Sequence, residues 1–440
     1  MVCSYRARYV KNKFQRKAAP PTEGHTHCQR PSEESVAMAK TIFAGIVLTV
    51  TSLVGWPTPI ESAKPSRTVV LEHAELKLTP AALVFNQKGE LYVAYRDKGA
   101  DKKSSAIWVR VFDPASGREL RSTQLQTTPI PLPNSTNQFL LSPDNSLLLY
   151  SQFNGGTLIT VLNAATLQKV SDSTSLPEGV DRQFPRVIGI GPTDDSSVLI
   201  AAEITNRLNG TDARLIKLDA HNLAHVLSDA TLTNPIPESG FAVGSDGTVR
   251  IIRADMLYSY DPATKKAALE LSIRNQDDIR NALFLNDHSL LLWSAQNEFG
   301  YLYRFKESGS TPEGSQRIEK SGVAKVLLSP DQLYGVALCE HQKLTEGNFG
   351  AITSRTAVVF DTKTLKILSE VPIDRDLNPE VAVWHGNGKI VLATQASSNK
   401  LVIYELVEPK SGSESATIDP KDGSLHLEIP VVAPSAKPKQ

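Results

Sequence analysis

Few residues of this chain have the types and spacing that catalysis requires. Glu340 and His341 are adjacent and, together with Glu203, could offer two carboxylates and an imidazole to one divalent cation. A cation held in this way activates bound water, so the three residues would form a metal-dependent hydrolytic centre. The chain has no G-x-S-x-G elbow, no H-E-x-x-H motif and no P-loop, so it carries no other recognised catalytic signature.

A second set of polar residues occupies one recurring position, where an apolar run ends and a loop begins. Its members are Arg96, Gln152, Glu203, Arg253, Gln296, Glu340 and Gln395. If the runs are equivalent strands, these side chains form a circle on one face of the fold, where they could contact a ligand or a partner. Alternatively, they pair with neighbours and finish the solvated edge of the core, as long polar side chains at strand ends commonly do.

The recurring positions are set by a repeat of four short strands. The stretch 241–273 forms two β-hairpins, one around Asp246-Gly247 and one around Asp261-Pro262, which are residues that such turns favour. A four-stranded meander cannot bury both of its faces alone, so it needs neighbours of the same kind. Seven inner hairpins of this type occur, at residues 82–96, 139–152, 188–203, 241–253, 282–296, 326–340 and 381–395.

The outer hairpins carry a more specific signal. In five of them an apolar strand ends at an Asp or Asn, namely Asp113, Asn163, Asp219, Asp261 and Asp361. Such a side chain can accept hydrogen bonds from the backbone of its own turn, which is why it is favoured there. The turn markers of successive repeats are 41 to 56 residues apart, inside or near the spacing of β-propeller blades.

The repeats resemble those of YVTN-type and WD-like β-propellers of exported bacterial proteins, a superfamily that includes lactonase-like propellers. The resemblance covers residues 68–408 and rests on paired motifs such as LLSPDQLYGVAL and VVFDTKTLKIL. The literal YVTN string is missing, and no blade ends with the Gly-His or Trp-Asp dipeptide of true WD repeats. The resemblance implies an all-β fold, a seven-bladed propeller of four-stranded antiparallel blades. It also implies that a lactonase-like hydrolase is one function to consider.

A ring of this kind needs a strand to close it. The segment 68–76 has no hairpin partner beside it, and the seventh repeat has only three clear strands. We predict that this segment supplies the outer strand of the seventh blade and so removes an exposed edge. The segment LHLEIPVV near the C-terminus competes for the same place, within a tail, 409–440, that is predicted to be mostly disordered.

The N-terminal region predicts export. Residues 38–63 match a signal peptide, because Lys40 precedes the apolar run 42–54 and small residues follow it. That run is shorter than the roughly 20 apolar residues of a spanning helix, so no stable membrane span is predicted in the mature protein. An uncleaved anchor is the alternative. If the signal peptide begins at Met38, residues 1–37 are a non-native or dispensable extension, and the propeller, residues 64–408, is periplasmic or extracellular.

The charge balance and the loop lengths restrict the classes of partner to consider. Lys+Arg and Asp+Glu both number 47, so nothing points to nucleic acid or an anionic membrane as a partner. The loops after the second strand are long in the first, third and sixth repeats, which suggests a recognition surface. Phe153, Phe299 and Phe349 lie in loops of this class, in the second, fifth and sixth repeats, and could anchor contacts or pack within their loops.

These observations predict a monomeric, non-catalytic binding module for an unknown protein or small-molecule ligand, with no metal and no cofactor. One alternative is the lactonase-like hydrolase, with Glu203, Glu340 and His341 around a divalent cation at the channel mouth. A further alternative is an accessory subunit of an envelope enzyme.

Overall fold

The computed structural model divides the chain into two units, Met1–Pro59 and Ile60–Gln440. The residues that it describes belong to the second unit. They are 64–71, 74, 81–97, 104–129, 136–153, 157–173, 186–190, 197–206, 210–232, 240–243, 249–253, 256–261, 266–272, 279–295, 299–306, 312–319, 322–345, 348–373, 380–396, 399–407, 417–418 and 425–426. The predicted signal peptide and the extension before it lie outside the described residues.

The described residues form β-strands joined by turns. The first strand is β1 (Arg67–Val70). Sheet 1 is built from β2 (Ala82–Phe85), β3 (Leu91–Arg96), β4 (Ser104–Phe112) and β5 (Glu119–Pro129). Sheet 2 is built from β6 (Thr136–Leu141), β7 (Leu147–Phe153), β8 (Thr157–Asn163) and β9 (Lys169–Ser173). Sheet 3 is built from β10 (Arg186–Ile190), β11 (Ser197–Asn206), β12 (Gly210–Asp219) and β13 (Asn222–Leu232).

The later strands repeat the arrangement. Sheet 4 is built from β14 (Gly240–Val243), β15 (Val249–Arg253), β16 (Met256–Asp261) and β17 (Lys266–Ser272). Sheet 5 is built from β18 (Ile279–Phe284), β19 (Ser289–Ala295), β20 (Phe299–Lys306) and β21 (Pro312–Glu319). Sheet 6 is built from β22 (Gly322–Leu328), β23 (Tyr334–Thr345), β24 (Asn348–Asp361) and β25 (Ile367–Ile373).

The last sheet combines the two ends of the domain. Sheet 7 is built from β26 (Val381–Gly386), β27 (Lys389–Ala396) and β28 (Lys400–Val407), with β1 as its outer strand. β1 pairs antiparallel with β28, from Arg67 opposite Ile403 to Val70 opposite Lys400. The paired strand is shorter than the predicted segment 68–76. In LHLEIPVV only Leu425–His426 (β30) is described, and it pairs with Thr417–Ile418 (β29) rather than with sheet 7.

Sheet 1 buries both of its faces against its neighbours. In β3 all six residues are buried, and alternate side chains point to opposite faces. Leu91, Val93 and Tyr95 pack in a cluster shared with sheet 7. Tyr92 and Ala94 pack in a cluster shared with sheet 2. Similar clusters join sheets 2 and 3, 5 and 6, and 6 and 7, so each of these cores lies between two sheets.

The first strand of each sheet is the innermost one. β2 contacts β6 and β26, β10 contacts β6 and β14, β14 contacts β18, and β22 contacts β19, β20 and β26. Each sheet therefore contacts the next one along the chain, and sheet 7 contacts sheet 1. These all-β, four-stranded antiparallel sheets confirm the predicted β-propeller fold. Within the described part of the chain, nothing helical is long and apolar enough to cross a membrane.

The predicted role of Asp and Asn in the outer turns is confirmed wherever their side chains are described. Oδ1 accepts a hydrogen bond from a backbone N–H of the same turn in each case. The donor and acceptor pairs are Ala115 to Asp113, Thr166 to Asn163, His221 to Asp219 and Thr364 to Asp361, at 2.7 to 3.0 Å. Asp261 ends β16, and its side chain lies outside the description.

In three of these four turns, the residue after the Asp or Asn has a second role. Its carbonyl accepts a hydrogen bond from the preceding sheet: Tyr92 Oη donates to Ala164 O at 3.1 Å, and Arg304 Nη1 donates to Thr362 O at 3.0 Å. Ser171 Oγ donates to Ala220 O in the same way. Outer turns thus fasten neighbouring sheets to each other, in addition to the apolar clusters.

Candidate functional site

One side of the sheets differs from the other in how far its hairpins extend. We call it the hairpin face, the side at which the second strand of each sheet turns into the third. Because the strands are antiparallel, the fourth strand also ends there and leads to the next sheet. In β15 and β16 the pairing ends at Arg253 opposite Met256, and in β27 and β28 it ends at Ala396 opposite Lys400.

The hairpin β23–β24 projects beyond these limits. Its pairing continues from Glu340 opposite Arg355 to Thr345 opposite Asn348. The extra residues correspond to roughly 17 Å of strand beyond Glu340 at about 3.4 Å per residue. This segment was predicted as a long loop, and the prediction is wrong in that respect, because the segment is an extension of two paired strands.

The hairpin β11–β12 projects less. Its pairing continues from Glu203 opposite Ala213 to Asn206 opposite Gly210, or about 10 Å of strand. The predicted loop of the third repeat is therefore also a hairpin. The corresponding loop of the first repeat, at 98–103, lies outside the described residues.

Polar contacts fix the base of β23–β24. Arg355 Nε donates to Glu340 Oε1 at 3.0 Å, and His341 Nε2 lies 3.3 Å from Thr356 Oγ1. Thr353 Oγ1 donates to the backbone oxygen of His341 at 3.2 Å. Both strands of the hairpin are therefore held where they leave the sheet.

The seven recurring polar residues do not form one exposed circle. Arg96, Gln152 and Gln395 are buried, with at most 7% of each residue exposed. Gln395 Oε1 accepts a hydrogen bond from the backbone N–H of Ala81, which joins sheet 7 to the segment before β2. Burial supports a packing role for these three residues, and their contact with a ligand stays a prediction.

The other four members are Glu203, Arg253, Gln296 and Glu340. Glu340 is half-buried and paired with Arg355. Glu203 and Arg253 lie on β11 and β15, at the register positions given above, and their side chains lie outside the description. Gln296 lies outside the described residues.

The three residues of the predicted hydrolytic centre lie on two sheets, and the side chain of Glu203 lies outside the described part of the structure. Glu203 belongs to sheet 3, whereas Glu340 and His341 belong to sheet 6. Successive side chains of a strand point to opposite faces, and Glu340 and His341 bond to different neighbours accordingly. These contacts hold the two side chains on opposite faces of sheet 6, and a centre that includes Glu203 stays a prediction. Among the described side chains, no three His, Cys, Asp or Glu residues are placed to hold a metal ion.

Of the three predicted aromatic anchors, Phe299 has a described side chain, and it packs within its sheet. Phe299 begins β20, its ring packs edge to face on Tyr301 at 5.6 Å, and the Arg317 guanidinium lies over it at 4.5 Å. Phe299 is thus part of sheet 5 rather than a loop. Phe153 ends β7 and Phe349 lies in β24, and their side chains lie outside the description.

Comparisons with known proteins show the fold of the chain but not its function. No protein-family model matches the chain, and no curated protein matches it. A crystal structure of Raptor from Chaetomium thermophilum matches 80% of this chain at 11% identity and a TM-score of 0.54, over 29% of the Raptor chain. A crystal structure of a mitotic checkpoint complex matches 89% of this chain and 99% of its own, at 12% identity and a TM-score of 0.49.

The chain is a β-propeller, and this class leaves its function open. The likeness to Raptor concerns the fold alone, at so low an identity. In all, 1191 chains of solved structures match. A fold shared so widely hosts many functions, so the function has to be argued from the hairpin face.

Proposed function

We propose that the protein is an exported, non-catalytic binding module that recognises a protein or small-molecule ligand with its hairpin face. The observation that carries the proposal is the projection of β23–β24 and β11–β12 beyond their neighbours. Loops and hairpins on a rigid scaffold are where binding residues concentrate.

The energetics of a projecting hairpin support this function. An isolated two-stranded hairpin is marginally stable in water, because it buries little apolar surface. Among the described residues, no third strand pairs with the part of β23–β24 beyond Glu340, since pairing with β25 ends at Arg355 opposite Ile373. A ligand that packs on this segment would supply the burial that the propeller does not.

Shortened hairpins test the proposal. Residues 342–353 are replaced by Asn-Gly, which joins the opposed residues His341 and Ser354 in a tight turn. Residues 204–212 are replaced in the same way between Glu203 and Ala213. Tagged wild-type protein and the variants are used to capture partners from an envelope extract and to bind a small-molecule library.

The expected result is a partner or ligand that the wild type retains and the doubly shortened variant loses, with an unchanged melting temperature. Lys363→Ala serves as the control, because Lys363 lies in an exposed turn on the opposite side of sheet 6. If the doubly shortened variant retained everything that the wild type binds, the hairpin face would not be the binding surface.

Export is a separate part of the proposal. The signal-peptide pattern at 38–63 supports it, and the repeat motifs support a place among YVTN-type propellers of exported bacterial proteins. N-terminal sequencing of the mature protein is the test. A first residue upstream of Met38 would contradict processing at this site.

A further inference from the structure

Two hairpins project from the hairpin face beyond the other five. In sheets 1, 2, 4, 5 and 7, the described pairing of the second and third strands ends within one residue of the recurring polar position. In sheet 3 it continues from Glu203 to Asn206, and in sheet 6 it continues from Glu340 to Thr345. A partner that approaches this face along the channel therefore meets sheets 3 and 6 first.

The two projecting hairpins lie on nearly opposite sides of the channel mouth. Each sheet contacts the next one along the chain, and sheet 7 contacts sheet 1. Sheets 4 and 5 therefore separate the hairpins on one side, and sheets 7, 1 and 2 separate them on the other. Packed sheets lie about 10 Å apart, so the seven sheets surround a circle roughly 22 Å in diameter. The bases of the two hairpins are thus about 22 Å apart.

The sheets fix this distance. β11–β12 continues the pairing of sheet 3 without a register shift, so its base is part of that sheet. At the base of β23–β24, Arg355 Nε donates to Glu340 Oε1 and Thr353 Oγ1 donates to the backbone oxygen of His341. Because each base belongs to a packed sheet, the two bases cannot move together to enclose a smaller ligand.

The distance between the bases favours one of the two kinds of ligand that the proposed function leaves open. A small-molecule pocket of at most about 1,000 Å³ is roughly 12 Å across, so it cannot extend from one base to the other. A protein interface of standard size buries about 800 Å² on each partner, which corresponds to a patch roughly 32 Å across. Of the two, the protein interface alone is wide enough to include both hairpins.

The charges of the hairpins favour a protein over a nucleic acid. Together, residues 203–213 and 340–355 contain three Lys or Arg residues and four Asp or Glu residues. A nucleic-acid surface needs an excess of Lys and Arg to neutralise phosphates. One of the three cations, Arg355, already pairs with Glu340. The two segments therefore lack the basic excess of a nucleic-acid surface.

We propose that the partner is a protein that lies across the channel mouth and contacts both hairpins at once, β11–β12 at one end and β23–β24 at the other. This inference rests on the proposed function of the hairpin face and specifies the ligand of that face. The partner presents a surface at least about 22 Å wide, and each hairpin supplies a separate contact to it.

Site-specific photo-cross-linking tests whether one protein meets both hairpins. Benzoylphenylalanine replaces Asn206 in one variant and Thr345 in another, the last paired residues of β11 and β23. Each variant is irradiated in an envelope extract, and the cross-linked proteins are identified by mass spectrometry. The same protein is expected from both positions. It should be absent with benzoylphenylalanine at Lys363, the control, which lies in an exposed turn on the opposite side of sheet 6.

The outcomes separate this inference from the proposed function. A protein captured from one position only, or a different protein from each, would overturn the inference and leave the hairpin face as a binding surface. No product at either position would contradict the proposed function as well.

Affinities then measure the two contacts. The cross-linked protein is purified, and its dissociation constant is measured with the wild type, with each shortened hairpin and with both. Contacts more than about 10 Å apart contribute independently. Each single variant should therefore raise the dissociation constant at least about tenfold, and the double variant by about the product of the two factors. A single variant with the wild-type dissociation constant would show that its hairpin does not contact the partner, and would overturn the inference.

Discussion

Arg355 Nε donates a hydrogen bond to Oε1 of Glu340, its direct neighbour across β23 and β24, at 3.0 Å. The Arg355 side chain is 10% exposed, so its charge is largely removed from water. Glu340→Ala removes the carboxylate while the guanidinium stays desolvated. We expect it to lower the free energy of unfolding by about 1–3 kcal/mol, measured by urea denaturation.

His341→Ala is the control for this prediction. His341 points to the other face of the sheet and lies near Thr356, so its loss should cost less than that of Glu340. Glu340→Ala with wild-type stability would show that the pair contributes nothing to the fold. Glu340 would then have to be reconsidered as a functional residue.

Acid should weaken a second ion pair. Arg121 Nη1 and Nη2 donate to Oε1 and Oε2 of Glu90 at 3.0 and 2.7 Å, and these hydrogen bonds are the main reason why the pKa of Glu90 lies below its ordinary value of 4.5. A carboxylate with a lowered pKa stabilises the folded state above its unfolded-state pKa. This stabilisation is lost as the pH falls through the folded-state pKa.

Glu90→Gln tests this dependence. The variant should melt below the wild type at neutral pH, and the two melting temperatures should converge as the pH falls below 4.5. Thermal melts across the acid range measure the difference. Glu119→Gln is a matched control, because Glu119 pairs with Arg110 through a single contact near the surface of the same sheet. A constant difference between Glu90→Gln and the wild type at every pH would contradict the linkage.

Local features of the fold could be predicted from the sequence. Alternating apolar residues and Asp or Asn at the outer turns act over a few residues, and the structure shows both, as at Asp113 and Asp361. The carbonyl that follows such a residue, for example Thr362, could not be recognised as an acceptor. Its donor, Arg304, is 58 residues away, and no local pattern marks that distance.

Contacts between residues distant in sequence also explain why the burial of three recurring polar residues was not predicted. In the sequence, Arg96, Gln152 and Gln395 resemble exposed residues at strand ends, but all three are buried in the structure. Gln395 bonds to Ala81 across 314 residues. The projecting hairpin was missed for another reason, because Gly347 and Gly350 are typical of loops and the few β-branched residues on either side of them only weakly indicate strands.

Removal of β1 should destabilise the whole domain. Val69 and Leu71 are buried in the cluster shared by sheets 7 and 1, so a chain that begins at Ala74 exposes both β28 and this cluster. We expect a lower melting temperature and a broader, less cooperative urea transition. A chain that begins at Lys64 is the control and should melt like the full-length protein. Equal stability of the two shortened chains would show that β1 does not hold sheets 7 and 1 together.

Gly335 lets β23 and β24 approach each other inside sheet 6. It pairs with Phe360, which is fully buried, and a Cβ at Gly335 would overlap that ring, with Cε1 only 2.8 Å away. Because the ring is packed on all sides, Gly335→Ala should cost about 1–3 kcal/mol. Gly314→Ala is the control, since its nearest neighbour would be Leu365 Cδ1 at an ordinary 3.9 Å. Urea denaturation should separate the two variants, and equal stabilities would mean that Phe360 moves aside at little cost.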